Sequence, residues 1–438
     1  MSIQDMTSLR AHFPALTRLE AGRPAVYFDG PGGTQAPQRV IDAIGRYLAT
    51  CNANTHGAFG TSRESDQVIA AAHEAMADFL NAPSSREIVF GSNMTSLTFQ
   101  FSRAIGRQLQ AGDEILITRL DHDANRAPWL ALTERGIVVK EVDFDPSDCT
   151  LRIETGSSPT GQALADLLTP RTRLVAVGYA SNAVGTVNPI ARIGELAHAV
   201  GAQVWVDAVH YAPHGPIDVQ ALGCDYLVCS PYKFFGPHAG VVWGRFDLLD
   251  RLPAYKVRPA GDQPPDKFET GTQNHEAQAG VLAAIEYLAE VGQRYGLDTV
   301  GQGLTGRRLD LRRAMCAIQE YERPLFEHFW RGLRAIPGLT VYGPALADGR
   351  SQRAPTAAFR LEGYTPDAVA SALAARGIYV WSGNFYAVAV TELLGLESTG
   401  GVVRAGLVHY NTREEVDYCL SVLNDLAGPA GRKSRSHG

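Results

Sequence analysis

The residue with the clearest chemical potential is Lys233, in Cys224–Gly240, CDYLVCSPYKFFGPHAG. It follows an apolar run, Tyr226–Cys229, and precedes Phe234, Phe235, Gly236 and Pro237. A lysine set among large apolar residues at a strand end is poorly hydrated, so its ammonium form is disfavoured and its pKa falls. A neutral amine is a nucleophile that can form an imine with an aldehyde. Just upstream, Val204–His210 reads VWVDAVH, a buried strand ending in the carboxylate Asp207. At the carboxyl end of a parallel strand such a group faces the ligand crevice of an open α/β sheet.

An imine-forming lysine with a buried carboxylate is the pair that pyridoxal phosphate requires. The carboxylate keeps the pyridine nitrogen protonated, and the ring then accepts electrons released at a substrate Cα. Each residue alone has a plainer reading, since most lysines are solvated and an Asp after a strand is often a turn residue. Further polar groups after other strands make the pair informative. Gly91–Ser96, GSNMTS, opens a helix, a natural anion site in which Ser92 or Thr95 would otherwise simply cap the helix. In Leu120–Asn125, LDHDAN, His122 can lie flat on an aromatic ring. Asn182 in SNAVGTVN can reach a phenolic oxygen, and Ser230 and Tyr232 offer hydroxyls to a phosphate. His56, in the loop NANTHGAFG, can reach a bound substrate, and the glycines of Asp29–Thr34, DGPGGT, open backbone N–H groups to approach.

The elements that must hold these residues alternate between short apolar runs and helical periods. Strands are expected at Ala25–Asp29, Glu87–Phe90, Glu114–Thr118, Val138–Val142, Arg173–Gly178, Gln203–Asp207, Tyr226–Cys229 and Gly240–Trp243. Helices are expected at Gln38–Thr50, Glu64–Leu80, Thr95–Leu109, Asn125–Arg135, Gly161–Leu168, Ile190–Val200 and Ala277–Val291, with a short amphipathic helix within residues 1–20. This alternation predicts an α/β domain with a mainly parallel central sheet, with an antiparallel member where Tyr226–Cys229 and Gly240–Trp243 lack a helix between them. Past residue 305 the pattern becomes α+β. A long helix, Arg308–Arg334, carries Pro324 as a kink or break, and Leu339–Tyr342, Thr356–Leu361, Asp367–Arg376, Ile378–Trp381, Val402–Leu407 and Thr412–Leu426 follow. The expected organisation is an N-terminal segment (1–24) belonging to the small domain, a large cofactor-binding domain (25–290), a small C-terminal domain (291–427) and a polar, flexible tail (428–438).

The 438 residues are 45% hydrophobic and 20% charged, an ordinary globular composition, and the net charge of −6 gives no footprint for nucleic acid. The six cysteines lack metal-type spacing and read as buried thiols of a reducing compartment, and no metal site is expected. No signal peptide and no membrane span are expected, so a cytoplasmic location is the default.

SNAVGTVNP, VDAVH, CSPYKFFGPHAG, FETGTQN and VRAGLVHYNTREEVD resemble the cysteine desulfurase branch of the class V aminotransferase family, from Tyr27 to about Leu423. The resemblance implies fold type I, a large α/β domain with a smaller α+β C-terminal domain, and pyridoxal phosphate on Lys233. It implies Asp207 at the pyridine nitrogen, His122 stacked on the ring, and Asn182 and His210 near the phenolic oxygen. Ser92, Asn93 and Ser230 fall at phosphate positions, and Tyr232 replaces the histidine usual before the lysine. Thr272 matches a residue that reaches the neighbouring subunit's phosphate, which implies a homodimer with shared sites. Arg404 matches the clamp for a substrate α-carboxylate, aided by the backbone around Gly32. Desulfurases carry a mobile Arg-x-Gly-x-x-Cys loop whose thiolate takes sulfur. Here Val380–Ala387 reads VWSGNFYA, with Trp381 at the arginine position and Tyr386 at the cysteine position. A tyrosine cannot hold a persulfide. The expected function is therefore β-elimination of sulfur or selenium from an L-α-amino acid, with epimerisation or transamination as alternatives and, from another class, a non-catalytic regulator that binds the cofactor. The aromatic Trp381, Phe385 and Tyr386 suggest a larger, less polar substrate pocket than free cysteine needs.

Overall fold

The computed structural model describes residues 6–20, 22–156, 162–301, 303–346 and 353–428. Its centre is a seven-stranded sheet in the spatial order Ile88–Gly91, Gly240–Gly244, Tyr226–Cys229, Gln203–Asp207, Thr172–Gly178, Glu114–Thr118, Val138–Val142. Gly240–Gly244 runs antiparallel to both of its neighbours, and the other pairings are parallel. The inner strands are apolar along most of their length because both faces are covered, whereas the edge strand Val138–Val142 carries Lys140 and Glu141 and is partly exposed. Val175, Val204, Val206 and Leu227 enter one core with the helices Gly60–Leu80, Ile190–Ala199 and His275–Tyr295. The alternate residues Leu174, Trp205, Tyr226 and Val228 enter a second core with the helix Met94–Gly106. A strand's period of two sorts one sequence into two cores in this way.

A second, antiparallel sheet orders Leu339–Tyr342, Thr356–Leu361, Val402–Gly406 and Trp381–Gly383. It packs with Gly306–Ala335 and Arg413–Ala427 around Phe329, Phe359 and Leu423. The N-terminal chain ties the two sheets together. Val26–Tyr27 pairs in parallel with Ile378–Tyr379, and Asp29 bridges to Gly406. A Cβ on Gly406 would overlap the Pro31 ring, so glycine is what lets the Asp29–Gly33 turn lie against this strand.

Several elements differ from expectation. The N-terminal helix is two 3₁₀ turns, Thr7–His12 and Pro14–Thr17, separated where Pro14 cannot continue the first. The strand expected over Ala25–Asp29 is only Val26–Tyr27. Asn125–Arg135 is three short turns rather than one helix, with Pro128 in the first turn of the middle one. Pro324 does not end its helix, which runs from Gly306 to Ala335. Ile378–Trp381 divides at Val380, because Ile378–Tyr379 and Trp381–Gly383 belong to different sheets. Gly161, the start of an expected helix, lies outside the described residues, and Leu164–Leu167 is the helical part. Residues 1–5 of the expected N-terminal segment and 429–438 of the expected tail also lie outside them.

Candidate active site

The parallel strands deliver their carboxyl ends to one edge of the large sheet, and the second sheet closes over that edge. Between them lies a cavity of about 650 Å³ lined by Gly32, His122, Asn182, Asp207, His210, Tyr232, Lys233, Trp381, Tyr386 and Arg404, among others. Ten of the residues expected to act together thus share one space.

Lys233 ends a single 3₁₀ turn, Pro231–Lys233, and is buried. Its Nζ donates to the Pro31 carbonyl and lies 5.0 Å from the Tyr232 ring centroid. Burial, then the nearby Arg404 cation, lowers its pKa to about 7, against the pull of Asp207 and Asp29. Asp207 is the last residue of its strand, and its Oδ1 accepts the Val209 N–H at 2.9 Å. Burial raises its pKa to about 7; the Val209 N–H and Lys233 oppose the rise and Asp121 adds to it. Asp121 is a second buried carboxylate on the cavity wall, with its oxygens taking Thr118 Oγ1, Asn125 Nδ2 and the Gly178 N–H. Burial outweighs these donors and raises its pKa to about 6.

His122 accepts the Ala124 N–H at Nδ1, 3.0 Å, which leaves the ring proton on Nε2. Burial, then Lys233 and Arg404, lowers its pKa to about 4, so the imidazole is neutral at physiological pH. The Tyr386 ring stacks on it at 5.5 Å between centroids. His210 is held by Thr356 Oγ1 at 3.0 Å, and burial, then His214, Lys233 and Arg404, pushes its pKa well below the usual histidine value.

Arg404 comes from the second sheet, where Trp381 is its register partner on the neighbouring strand. Its Nη1 donates to the Asn182 carbonyl at 2.9 Å, and its Cζ lies 4.1 Å from the Phe385 ring centroid. Burial lowers its pKa to about 9. Asn182 donates from Nδ2 to the Phe385 carbonyl at 2.9 Å. Among the described residues, Arg404 Nε, Asn182 Oδ1, Ser230 Oγ and Asp29 Oδ1 are buried without a hydrogen-bond partner. Buried polar groups are nearly always paired, so orphans clustered around this site fit a polar ligand.

Five expected residues lie outside this lining. Asn93 caps the Met94–Gly106 helix, its Oδ1 taking the Ser96 N–H at 2.8 Å; the cap is neither Ser92 nor Thr95. Ser92 and Thr272 line a separate polar cavity of about 510 Å³ with His238 and Gln273. His56 is exposed and pairs with Asp66 at 3.4 Å. Ser230, though fully buried and next to the Lys233 turn, is likewise not a lining residue. Sequence reasoning passed over Asp121, although it stands beside His122 in the same post-strand stretch. It also passed over Asp29 and Thr356, whose roles depend on contacts between distant parts of the chain.

The sequence matches the family model described as aminotransferase class-V over residues 26–296 and 306–419. It is 34% identical to a probable cysteine desulfurase of Mycolicibacterium paratuberculosis, across 97% of this chain and 58% of that protein. It is also 34% identical to a cysteine desulfurase of Yersinia pestis, across 95% of this chain and 97% of that protein. The chain therefore spans under two thirds of the length of the mycobacterial relative and nearly all of the Yersinia one. Among solved structures, the apo cysteine desulfurase of Thermococcus onnurineus superposes with a TM-score of 0.81 at 26% identity, covering 97% of this chain and 99% of that one. A cysteine desulfurase of Escherichia coli in an S-sulfonic acid form gives 0.78 at 26% identity, with the same coverage. The expected fold type I architecture is borne out by these neighbours. A model match over residues 26–296 and 306–419, on a fold that brings a lysine, an aspartate and a histidine from one sheet's carboxyl edge and an arginine from the second sheet to one cavity, means that this chain belongs to the class-V aminotransferase family.

Proposed function

We propose that this chain is a pyridoxal phosphate enzyme that cleaves a carbon–sulfur or carbon–selenium bond of an L-α-amino acid by β-elimination. The observation that carries this reading is the convergence of Lys233, Asp207, Asn182 and Arg404 on one cavity beside orphaned buried polar atoms. When bound, the cofactor supplies an aldehyde for amines and a ring that accepts the electrons released at Cα. Lys233, with a pKa of about 7, is partly neutral at physiological pH and can take the Cα proton. Asp207 holds a proton at the pyridine nitrogen, and a cation opposite it favours its ionised form. Arg404 turns its unpartnered Nε toward a substrate carboxylate, a charge-assisted contact that fixes Cα beside the lysine. His122, neutral, offers a flat face and can accept a proton but not donate one as imidazolium.

No cysteine lines the cavity among the described residues, and five of the six cysteines are buried. The leaving sulfur therefore departs as a thiol rather than as a persulfide on the protein. Overall, a cysteine thioether and water become a thiol, pyruvate and ammonium. Arg404 belongs to the unit expected over 291–427 and Lys233 to that over 25–290, so catalysis depends on how the two meet. Two copies are proposed to pair, each lending Thr272 to the other's phosphate end; in the single chain Thr272 faces the second cavity, away from the Lys233 lining. A cytoplasmic location is part of the same reading; among the described residues no helix is long and apolar enough to cross a membrane.

Incubation with a panel of cysteine and selenocysteine derivatives tests the reaction. Pyruvate with an equal amount of thiol or selenol is expected. Stereoinversion, or amino transfer that depends on a keto acid, with no pyruvate from any compound would overturn it.

A further inference from the structure

The mouth of the cavity is built from large aromatic side chains that the protein itself leaves uncovered. Trp381 and Tyr386 are exposed, at 53% and 72%, yet both line the cavity, with Phe385 between them in sequence. Scattered apolar residues on a surface need no explanation, but a contiguous group around a cavity marks a ligand site. The loop is also fixed in shape. Phe385 and Tyr386 have φ of 56° and 58°, a left-handed conformation unfavourable for residues with large side chains. It persists because the loop is bonded on several sides. Asn384 Oδ1 accepts the Tyr386 N–H at 3.1 Å, the Asp123 N–H donates to the Tyr386 carbonyl at 2.7 Å, and Asn384 Nδ2 donates to Glu397 at 2.9 Å. Strained backbone held in this way tends to occur at functional sites.

The wall has a direction. It begins at Arg404, whose guanidinium covers Phe385 and whose strand neighbour is Trp381, and it reaches His122, on which Tyr386 stacks. A substrate carboxylate on Arg404 thus sends its side chain along aromatic surface. Gly32 is part of this arrangement, because a Cβ there would overlap the Trp381 indole. Asp123 also lines the cavity and is half exposed, which disfavours an anionic substituent.

We propose that Trp381, Phe385 and Tyr386 select cysteine thioethers whose sulfur carries an uncharged, flat apolar group such as benzyl, in preference to free cysteine. This rests on the elimination reading above and names its substrate class. The thiol of free cysteine would leave most of the wall in contact with water, whereas a ring would bury it.

The test compares S-benzyl-L-cysteine, S-methyl-L-cysteine and L-cysteine on the cofactor-loaded protein. A kcat/KM at least about tenfold higher for the benzyl compound than for either other is expected, since aromatic contacts contribute on that order. Trp381→Ala and Tyr386→Ala shrink this ratio to about threefold or less, while Tyr386→Phe, which keeps the ring, retains it. Calorimetry provides a second readout that needs no turnover, using the analogue of S-benzyl-cysteine with methylene for sulfur against norvaline. The aromatic analogue binds more tightly, and the two alanine variants lose the difference. Equal or weaker binding of the aromatic analogue overturns the proposal, as does a preference unchanged in both alanine variants. If nothing is cleaved but the binding preference and its loss in the variants are seen, the elimination reading fails and the selective wall stands.

Discussion

Carboxylates are buried at opposite edges of the same sheet, and they are treated in opposite ways. Glu114 opens its strand at the amino edge and is fully buried. Lys140 Nζ reaches it at 2.7 Å, Arg171 Nη2 at 2.8 Å and Thr169 Oγ1 at 2.7 Å. Burial pushes its pKa up, but these donors outweigh burial and hold it at about 2. Asp121 and Asp207, at the carboxyl edge, have mainly neutral donors, and burial leaves them at about 6 and about 7. One buried acid is satisfied by the protein; the others are held short of satisfaction. Paired charge at the amino edge fastens neighbouring strands, while under-compensated charge at the carboxyl edge is poised for a ligand.

The sharpest way to break this contrast is at the group facing Asp207. Lys233→Ala should lower turnover at least about a thousandfold, because it removes both the covalent attachment and the base. Borohydride should then leave no pyridoxyl adduct at position 233, as read by peptide mass, while unfolding stays cooperative. Full activity with a labelled peptide elsewhere would place the chemistry on another lysine.

Asp207→Asn should reduce kcat by about a hundredfold or more, and it should also separate function from stability. The folded carboxyl titrates near 7 instead of the ordinary 3.8, so the fold favours its protonated form. That contribution is present below the ordinary value and is lost as pH rises through about 7. The amide never ionises. Cofactor-free Asp207→Asn should therefore melt above the wild type at pH 8, by the equivalent of up to about 4 kcal/mol, and should match it below pH 4. An equal melting temperature at pH 8 would mean that Asp207 is already satisfied.

Glu114→Gln reverses each sign. Its folded pKa lies below the ordinary 4.5, so its stabilisation is present above that value and is lost as pH falls through about 2. The variant should cost about 1–3 kcal/mol in urea unfolding at pH 7, the range for hydrogen bonds to a charged group. It should leave kcat/KM unchanged, since Glu114 is at the far edge from Lys233.

The carboxyl edge was largely legible in the sequence because its groups follow apolar strands in short loops rich in Gly and Pro. Lys233, Asp207, Asn182 and His122 could be read one strand at a time. Asp121 could not, since an acid beside a histidine after a strand reads as a turn residue until its burial is known. Asp29 and Thr356 depend on partners far along the chain, Gly406 and His210, which no local pattern couples. His56 has the right residue type, but its loop leaves it exposed beside Asp66. Local periodicity also misjudged prolines in both directions. Pro14 separates two turns near the N-terminus, whereas Pro324 is carried within a helix whose flanking Leu325, Phe326 and Phe329 are buried.

The smallest effect is expected inside the carboxyl edge itself, at Thr118→Val. Thr118 Oγ1 donates to Asp121 Oδ1 at 2.8 Å, one of three donors on that carboxyl. Valine keeps the shape and removes the hydroxyl, so Asp121 loses compensation only when it is ionised. Because its folded pKa is about 6, the variant should be less stable by about 1 kcal/mol at pH 8, with the difference shrinking as pH falls below 6. A penalty independent of pH would mean that the hydroxyl matters for packing alone. A penalty that grows with pH would show that the carboxyl edge is held just short of the satisfaction that Glu114 enjoys, one hydrogen bond at a time.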